Sequence, residues 1–237
     1  MLRPSLTWID PAVQTVFWSM ATIGLYLAAK AFYRRWPFWW ATPLVMTPAL
    51  LIVLVLAFHI SYPAYIRDTG WLVSLLGPAT VAFAIPIYQQ RHVIRRHWPV
   101  LVIGVLMGST TAMVSAWALA SAFGLHGALR LSLLPRSMST PFAMAVSGDI
   151  GGVPDLTAFF VIVTAVFGAA IGETLLARLH IRSKLARGAL LGMGAHAAGT
   201  AKAYEIGAEE GSIAGLVMIL VGVVNVLAAP LLAYCLK

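Results

Sequence analysis

The stretch "GMGAHAAGTAKAYEIG", Gly192 to Gly207, sets His196, Thr200, Lys202 and Glu205 among glycines and alanines in an otherwise apolar chain. Small residues let helix backbones approach closely. Glycine also favours an interruption that frees backbone N–H and C=O groups for a ligand. Around Gly194 and Gly199, His196, Thr200 and Lys202 could then meet an anion, with Glu205 close enough to Lys202 to pair with it. A charge at bilayer depth costs at least about 2.5–3.5 kcal/mol. Lys202 and Glu205 therefore either serve a partner or sit at the far interface and snorkel. His196 is placed mid-stretch for a ligand or a proton, or else bonds a neighbouring helix; Glu205 is the other residue able to carry a coupled proton.

A second constellation is "LLPRSMSTPFA", where Pro135 and Pro141 bracket Arg136, Ser137, Ser139 and Thr140. Proline removes a backbone donor and breaks helices, so the segment predicts a helix, a polar break and a new helix starting near Pro141. A helix N-terminus with hydroxyls and an arginine nearby suits a carboxylate or phosphate; alternatively Arg136 is an ordinary interfacial arginine. The third is "LLGPATVAFAIPIY", where Gly77, Pro78 and Pro86 break an apolar span and Thr80 adds a hydroxyl. Asp149 and Asp155 in "SGDIGGVPD" fit turn and cap positions, and Glu173 fits an interfacial place beside Arg178.

The elements that must position these residues are membrane spans. Of the 237 residues, 60% are hydrophobic and 10% charged, and the mean hydropathy is +0.88; soluble domains carry roughly 25% charged residues. Spans are expected at about 12–32, 41–58, 71–90, 99–123, 156–176 and 213–236. This is an all-α, multi-pass membrane protein, expected in the cell (inner) membrane. The net charge of +8 does not indicate nucleic-acid binding. Its basic residues group as Lys30, Arg34 and Arg35; Arg91, Arg95 and Arg96; and Arg178, Arg182, Lys184 and Arg187, the pattern of cytoplasmic loops. The single Cys235 allows no intrachain disulfide and no metal cluster. No cofactor is expected, and no cleavable signal pattern is evident.

With those three basic clusters on one side, Leu129 to Asp155 must enter and leave on the opposite side, or form broken half-helices. Non-helical backbone at that depth survives only inside protein or along a wet cavity, which makes this segment a candidate functional centre. "LLG" at Leu75 to Gly77 recurs at Leu190 to Gly192, an offset of 115 residues. Whole spans follow the same offset. One transmembrane domain of two inverted repeats is expected, about residues 10–125 and 127–237, with paired Gly/Pro-broken helices crossing at the midplane as in secondary transporters.

Taken in order, "LLGPATVAFAIPIY", "LRLSLLPRSMSTPFAMAVSGDIGGVPDLTAFFVI" and "GMGAHAAGTAKAYEIGAEEG" resemble the signatures of the LrgB/CidB family. The resemblance covers about residues 10–236. Bacterial members are described as antiholin-like or as regulators of murein hydrolase export, and the plant plastid member is a glycolate/glycerate translocator. The family commonly has lysine where Arg136 stands and threonine where Ser139 stands, changes that keep the charge and the hydroxyl. The plastid member carries a fused LrgA-like segment, so the resemblance implies a separate LrgA/CidA-like membrane partner here.

Together these features predict a secondary transporter of small monocarboxylates, of the glycolate, glycerate, lactate or pyruvate class, working by an elevator-like motion. Arg136 would bind the carboxylate, Ser137, Thr140 and Thr200 the hydroxyl, and His196 would carry the proton. A homodimer is expected. The alternative is a non-transporting, antiholin-like regulator of a holin-like partner. No hydrolase motif or nucleophile arrangement indicates an enzyme.

Overall fold

Proline sets several helix ends. Lacking an N–H, a proline cannot bond the carbonyl four residues earlier, and its ring crowds that carbonyl. α3 (Tyr62–Ser74) accordingly ends four residues before Pro78, and α4 (Leu76–Ala82) ends four residues before Pro86. The expected 71–90 span is thus three short pieces, α3, α4 and α5 (Ala84–Gln89). The computed structural model describes residues 11–36, 38 and 41–235. Every regular element among them is helical. Among the described residues four helices are long and apolar enough to cross a membrane: 11–35, 91–122, 154–179 and 208–234.

The chain divides between Ala79 and Thr80 into two compact units. In the first, α1 (Pro11–Arg35) packs on α2 (Pro43–Ala57) and on α3. Trp18 is its buried centre, meeting Phe17, Phe58 and Tyr65 edge-on. Trp71 Nε1 donates to Ser19 Oγ at 2.8 Å, and the Thr22 and Tyr65 hydroxyls share a hydrogen bond at 2.8 Å.

The second unit contains three long helices, α6 (Arg91–Ala122), α9 (Pro154–Leu179) and α11 (Ala208–Cys235). Two broken segments lie between them. In hairpin A, α7 (Gly127–Leu133) runs into a 3-10 turn (Leu134–Ser137), and α8 (Thr140–Ile150) returns. Its arms are level at the mouth: the Val153 N–H donates to Ser132 Oγ at 2.8 Å. This answers the choice left open for residues 129–155, which enter and leave on one side.

Hairpin B is α10 (Lys184–Ile206), interrupted at His196. There φ is 48° and ψ is −122°, a conformation that L-residues other than glycine rarely adopt. The turn is sharp enough to bring Gly199 against the Leu191 carbonyl, a place that any Cβ would fill. Ala203 on the returning arm then packs with Leu191 and Ala214. The 115-residue offset matches the expected 71–90 span to residues 186–205, and that segment is not a continuous crossing. The chain reverses at His196, and α11 starts at the end where hairpin B began.

A second correction concerns Arg91, Arg95 and Arg96. They form the opening turns of α6 rather than a loop, with a kink at His97 (φ −119°, ψ 18°) just before Pro99. Within this unit a hairpin followed by a spanning helix occurs twice, entered from opposite ends. Residues 127–150, matched to α1 by the 115-residue offset, form a hairpin where α1 is continuous.

Candidate functional site

The tip of hairpin A is built by its two prolines. Pro135 stands in the first turn of the 3-10 segment and Pro141 in the first turn of α8. Between them Met138 and Ser139 are extended, with φ −121° and −67°. Ser139 occupies the N-cap of α8, yet its side chain makes no capping bond; Oγ is buried and without a partner. Phe142, one turn on, lies against Gly222 of α11 and 5.7 Å from the Phe83 ring, which fixes the start of α8. The uncapped N–H groups of α8 and its dipole favour an anion at this point.

The tip of hairpin B is held by close backbone packing. The Gly194 carbonyl of α10 abuts Gly168 of α9, where a side chain would not fit. His196 at the turn is 2% exposed, and neither ring nitrogen completes a hydrogen bond. Its Thr200 neighbour donates Oγ1–H to the His196 carbonyl at 2.9 Å, satisfying an acceptor that the turn frees.

The two tips meet. The 3-10 turn of hairpin A contacts α10, and the Ser137 carbonyl and the Arg136 guanidinium lie close enough to His196 to act on it electrostatically. The Ser137 carbonyl stands beside the ring without hydrogen-bond geometry. Arg136 is half-buried and makes no ion pair with a carboxylate among the described residues. An arginine, an imidazole, a free hydroxyl and a helix N-terminus thus converge where the chain comes in from both sides. Each unmet buried polar group costs about 1–3 kcal/mol, so a ligand supplying the missing partners would recover that cost.

Other expected residues are placed differently. Thr140 is half-buried in the first turn of α8. Thr200 has spent its proton on His196. Hairpin B returns toward its mouth and carries Lys202 away from the tip, where it pairs with Glu205 at 2.9 Å and Glu173 at 3.6 Å. Glu205 is exposed beside the half-buried Lys202, so of the two proton candidates only His196 is at the tips. Gly77 and Pro78 belong to the first unit and Thr80 opens the second, all within α4. Asp149 and Asp155 are exposed near the mouth of hairpin A but stand inside helices, Asp149 in the last turn of α8 and Asp155 in the first turn of α9, rather than at the expected turn and cap positions.

Two polar clusters were not anticipated. Asn225 of α11 donates to Ser109 Oγ of α6 at 2.9 Å and to the Val221 carbonyl at 2.7 Å, inside the core. Thr157 contacts Ser147 Oγ at 2.7 Å and the Ser132 carbonyl at 2.9 Å, with all three residues fully buried. The signal for Asn225 was visible: it is the one amide in the uncharged stretch from Gly211 to Leu236. Isolated serines and threonines in apolar helices give no such signal, because they also bond their own helix.

The family model for the LrgB-like family matches residues 22–235 of this chain. The chain belongs to the LrgB-like family. The relatives extend over nearly the whole length. It is 42% identical over 211 residues to the uncharacterized protein YwbG of Bacillus subtilis, covering 89% of this chain and 94% of that protein. Identity to the antiholin-like protein LrgB of Bacillus subtilis is 34% over 212 residues, 90% of this chain and 91% of that one. To the holin-like protein CidB of Staphylococcus aureus it is 30% over 220 residues, 93% and 96% of the two chains. No solved structure matches this LrgB-family chain.

Proposed function

We propose that this LrgB-family protein is a carrier of small monocarboxylates across the cell inner membrane, with the substrate held between the two hairpin tips. The observation that carries this reading is the cluster of unmet buried groups, Ser139 Oγ and both His196 ring nitrogens, beside the Arg136 guanidinium. A carboxylate supplies what they lack: one oxygen for the guanidinium and the α8 N–H groups, the other for Ser139 or a protonated His196. A 2-hydroxy or 2-oxo group would turn toward Ser137 and Thr140. No chemical step is part of this reading, and His196 would bind and release the coupled proton.

Two hairpins entering from opposite ends suit alternating access. Withdrawal of one tip opens the site to one side while the other tip still closes it. The repeated hairpin-and-span order within residues 80–237 fits an inverted repeat of the kind that secondary transporters use. By the positive-inside rule, the end bearing Arg91, Arg96, Arg178 and Lys184 faces the cytoplasm. A homodimer and a separate LrgA/CidA-like subunit belong to the same proposal.

The test is uptake of labelled glycolate into proteoliposomes, with and without a pH gradient. Saturable uptake by the parent should be lost in Arg136→Gln, and its gradient dependence lost in His196→Ala. Uptake equal to the parent in both folded variants would sink the reading. The second reading, a non-transporting regulator of a holin-like partner, is favoured by the names of the relatives, holin-like protein CidB and antiholin-like protein LrgB. It predicts no carboxylate binding and stoichiometric co-purification with an LrgA-like protein.

A further inference from the structure

At the basic end of the second unit, the first turns of α6, the entering arm of hairpin B and the first turns of α11 enclose a cavity of about 380 Å³. None of the tip residues lines it. His92, Arg96 and His97 form one wall, with Ser212 of α11 opposite and Leu185 and Ile213 along an apolar side. His97 lines it at the kink ahead of Pro99, the one position inside α6 with non-helical φ and ψ.

The charge balance favours an anion. Glu209 also lines the cavity, but its carboxylate already accepts from Lys184 Nζ at 2.6 Å. Arg96 makes no ion pair among the described residues. One guanidinium, two imidazoles and a hydroxyl therefore lie against an apolar wall, at the basic end of membrane-spanning helices. Basic pockets between such helices suit anionic lipid headgroups, and the apolar wall suits the glycerol and the first methylenes of the chains.

We propose that this cavity binds the headgroup of an anionic phospholipid. The phosphate pairs with Arg96 and accepts from His92, His97 and Ser212, while the glycerol rests on Leu185 and Ile213. A lipid so placed ties α6 to the mouth of hairpin B. The proposal is independent of whether the tips carry a substrate.

Purified protein in neutral detergent is titrated with short-chain phosphatidylglycerol, short-chain phosphatidylcholine and inorganic phosphate. Binding is read by the shift in Tm and by native mass spectrometry. Saturable binding of phosphatidylglycerol is expected, weakened about tenfold by Arg96→Gln and retained by Arg136→Gln and Arg182→Gln. Arg182 is exposed at the same end, so a general attraction for anionic lipid would weaken in both arginine variants alike. That result, or an equal response to the two lipids, overturns the proposal. So does equal protection by inorganic phosphate, which assigns the cavity to a soluble anion. Where Arg96→Gln does not fold, Ser212→Ala serves instead, with a severalfold loss expected and no loss overturning the assignment.

Discussion

Hairpin A and hairpin B bring their tips to the same place, yet their mouths are fastened by opposite chemistry. Hairpin A is joined to α9 by the Ser132, Ser147 and Thr157 hydroxyls, all 0% exposed, and by the Val153 N–H. Hairpin B is joined to α11 and α9 mainly by ion pairs in reach of water, with one deeper pair between Arg187 and the buried Glu210 at 3.9 Å. Lys184 and Glu209 are 58% and 61% exposed at 2.6 Å, and Lys202 is 3.6 Å from an exposed Glu173. Opening A would strand polar groups in an apolar interior, whereas opening B exchanges ion pairs for hydration. Exposed ion pairs contribute at most about 1 kcal/mol and are screened by salt. Of the two, hairpin B has the mouth more open to water, and its tip is held by close backbone packing.

The largest effect should come from that tip. Gly199→Val places a side chain where the Leu191 carbonyl lies. It should cost about 3 kcal/mol or more, read as loss of monodisperse protein and rapid proteolysis between α9 and α11. Gly194→Ala is the contrast, because its Cβ would meet open space; it should behave like the parent. If both glycine variants fold equally well, close packing does not hold hairpin B.

Next comes the mouth of hairpin A. Thr157→Val leaves the Ser132 carbonyl and Ser147 Oγ short of a partner and should cost about 2 kcal/mol, seen as a lower Tm. Thr157→Ser should restore most of it. A valine variant as stable as the parent would remove the proposed asymmetry.

Smaller still is the salt response. Hydrogen exchange in hairpin B should quicken from low to high salt, while hairpin A stays unchanged. Glu209→Gln should mimic high salt in hairpin B alone, and an equal response in both hairpins would break the comparison.

The smallest effect is at alkaline pH. The Glu209 carboxylate, by its hydrogen bond and then its charge, raises the Lys184 pKa above its ordinary 10.5. A raised lysine contributes stability that is fully present below the unfolded value and lost as pH rises through the folded one. The protease resistance of hairpin B should therefore hold steady through neutral pH and fall only above about 10.5. A fall near neutrality would point to a group other than Lys184.

By itself the sequence determined a multi-pass helical membrane protein, helix ends ahead of Pro78 and Pro86, and a polar break around Arg136 and His196. These follow from rules that act within one span or one turn: hydropathy over a bilayer width, the missing proline N–H, and the cost of polar groups in apolar surroundings. Which hydroxyls are already spent was not legible, since Thr200 in a helix bonds its own backbone or a ligand equally well. Lys202 and Glu205 were readable as a pair, but their place at a mouth was not. Only the tertiary structure decided that residues 184–206 turn back at His196. That reversal depends on Gly199 meeting Leu191 across the turn and on Gly168 of α9 meeting Gly194 of α10, contacts that the rules of a single helical turn do not specify. The same reversal sets hairpin B against the tip of hairpin A, and so decides that Arg136 and His196 share one site.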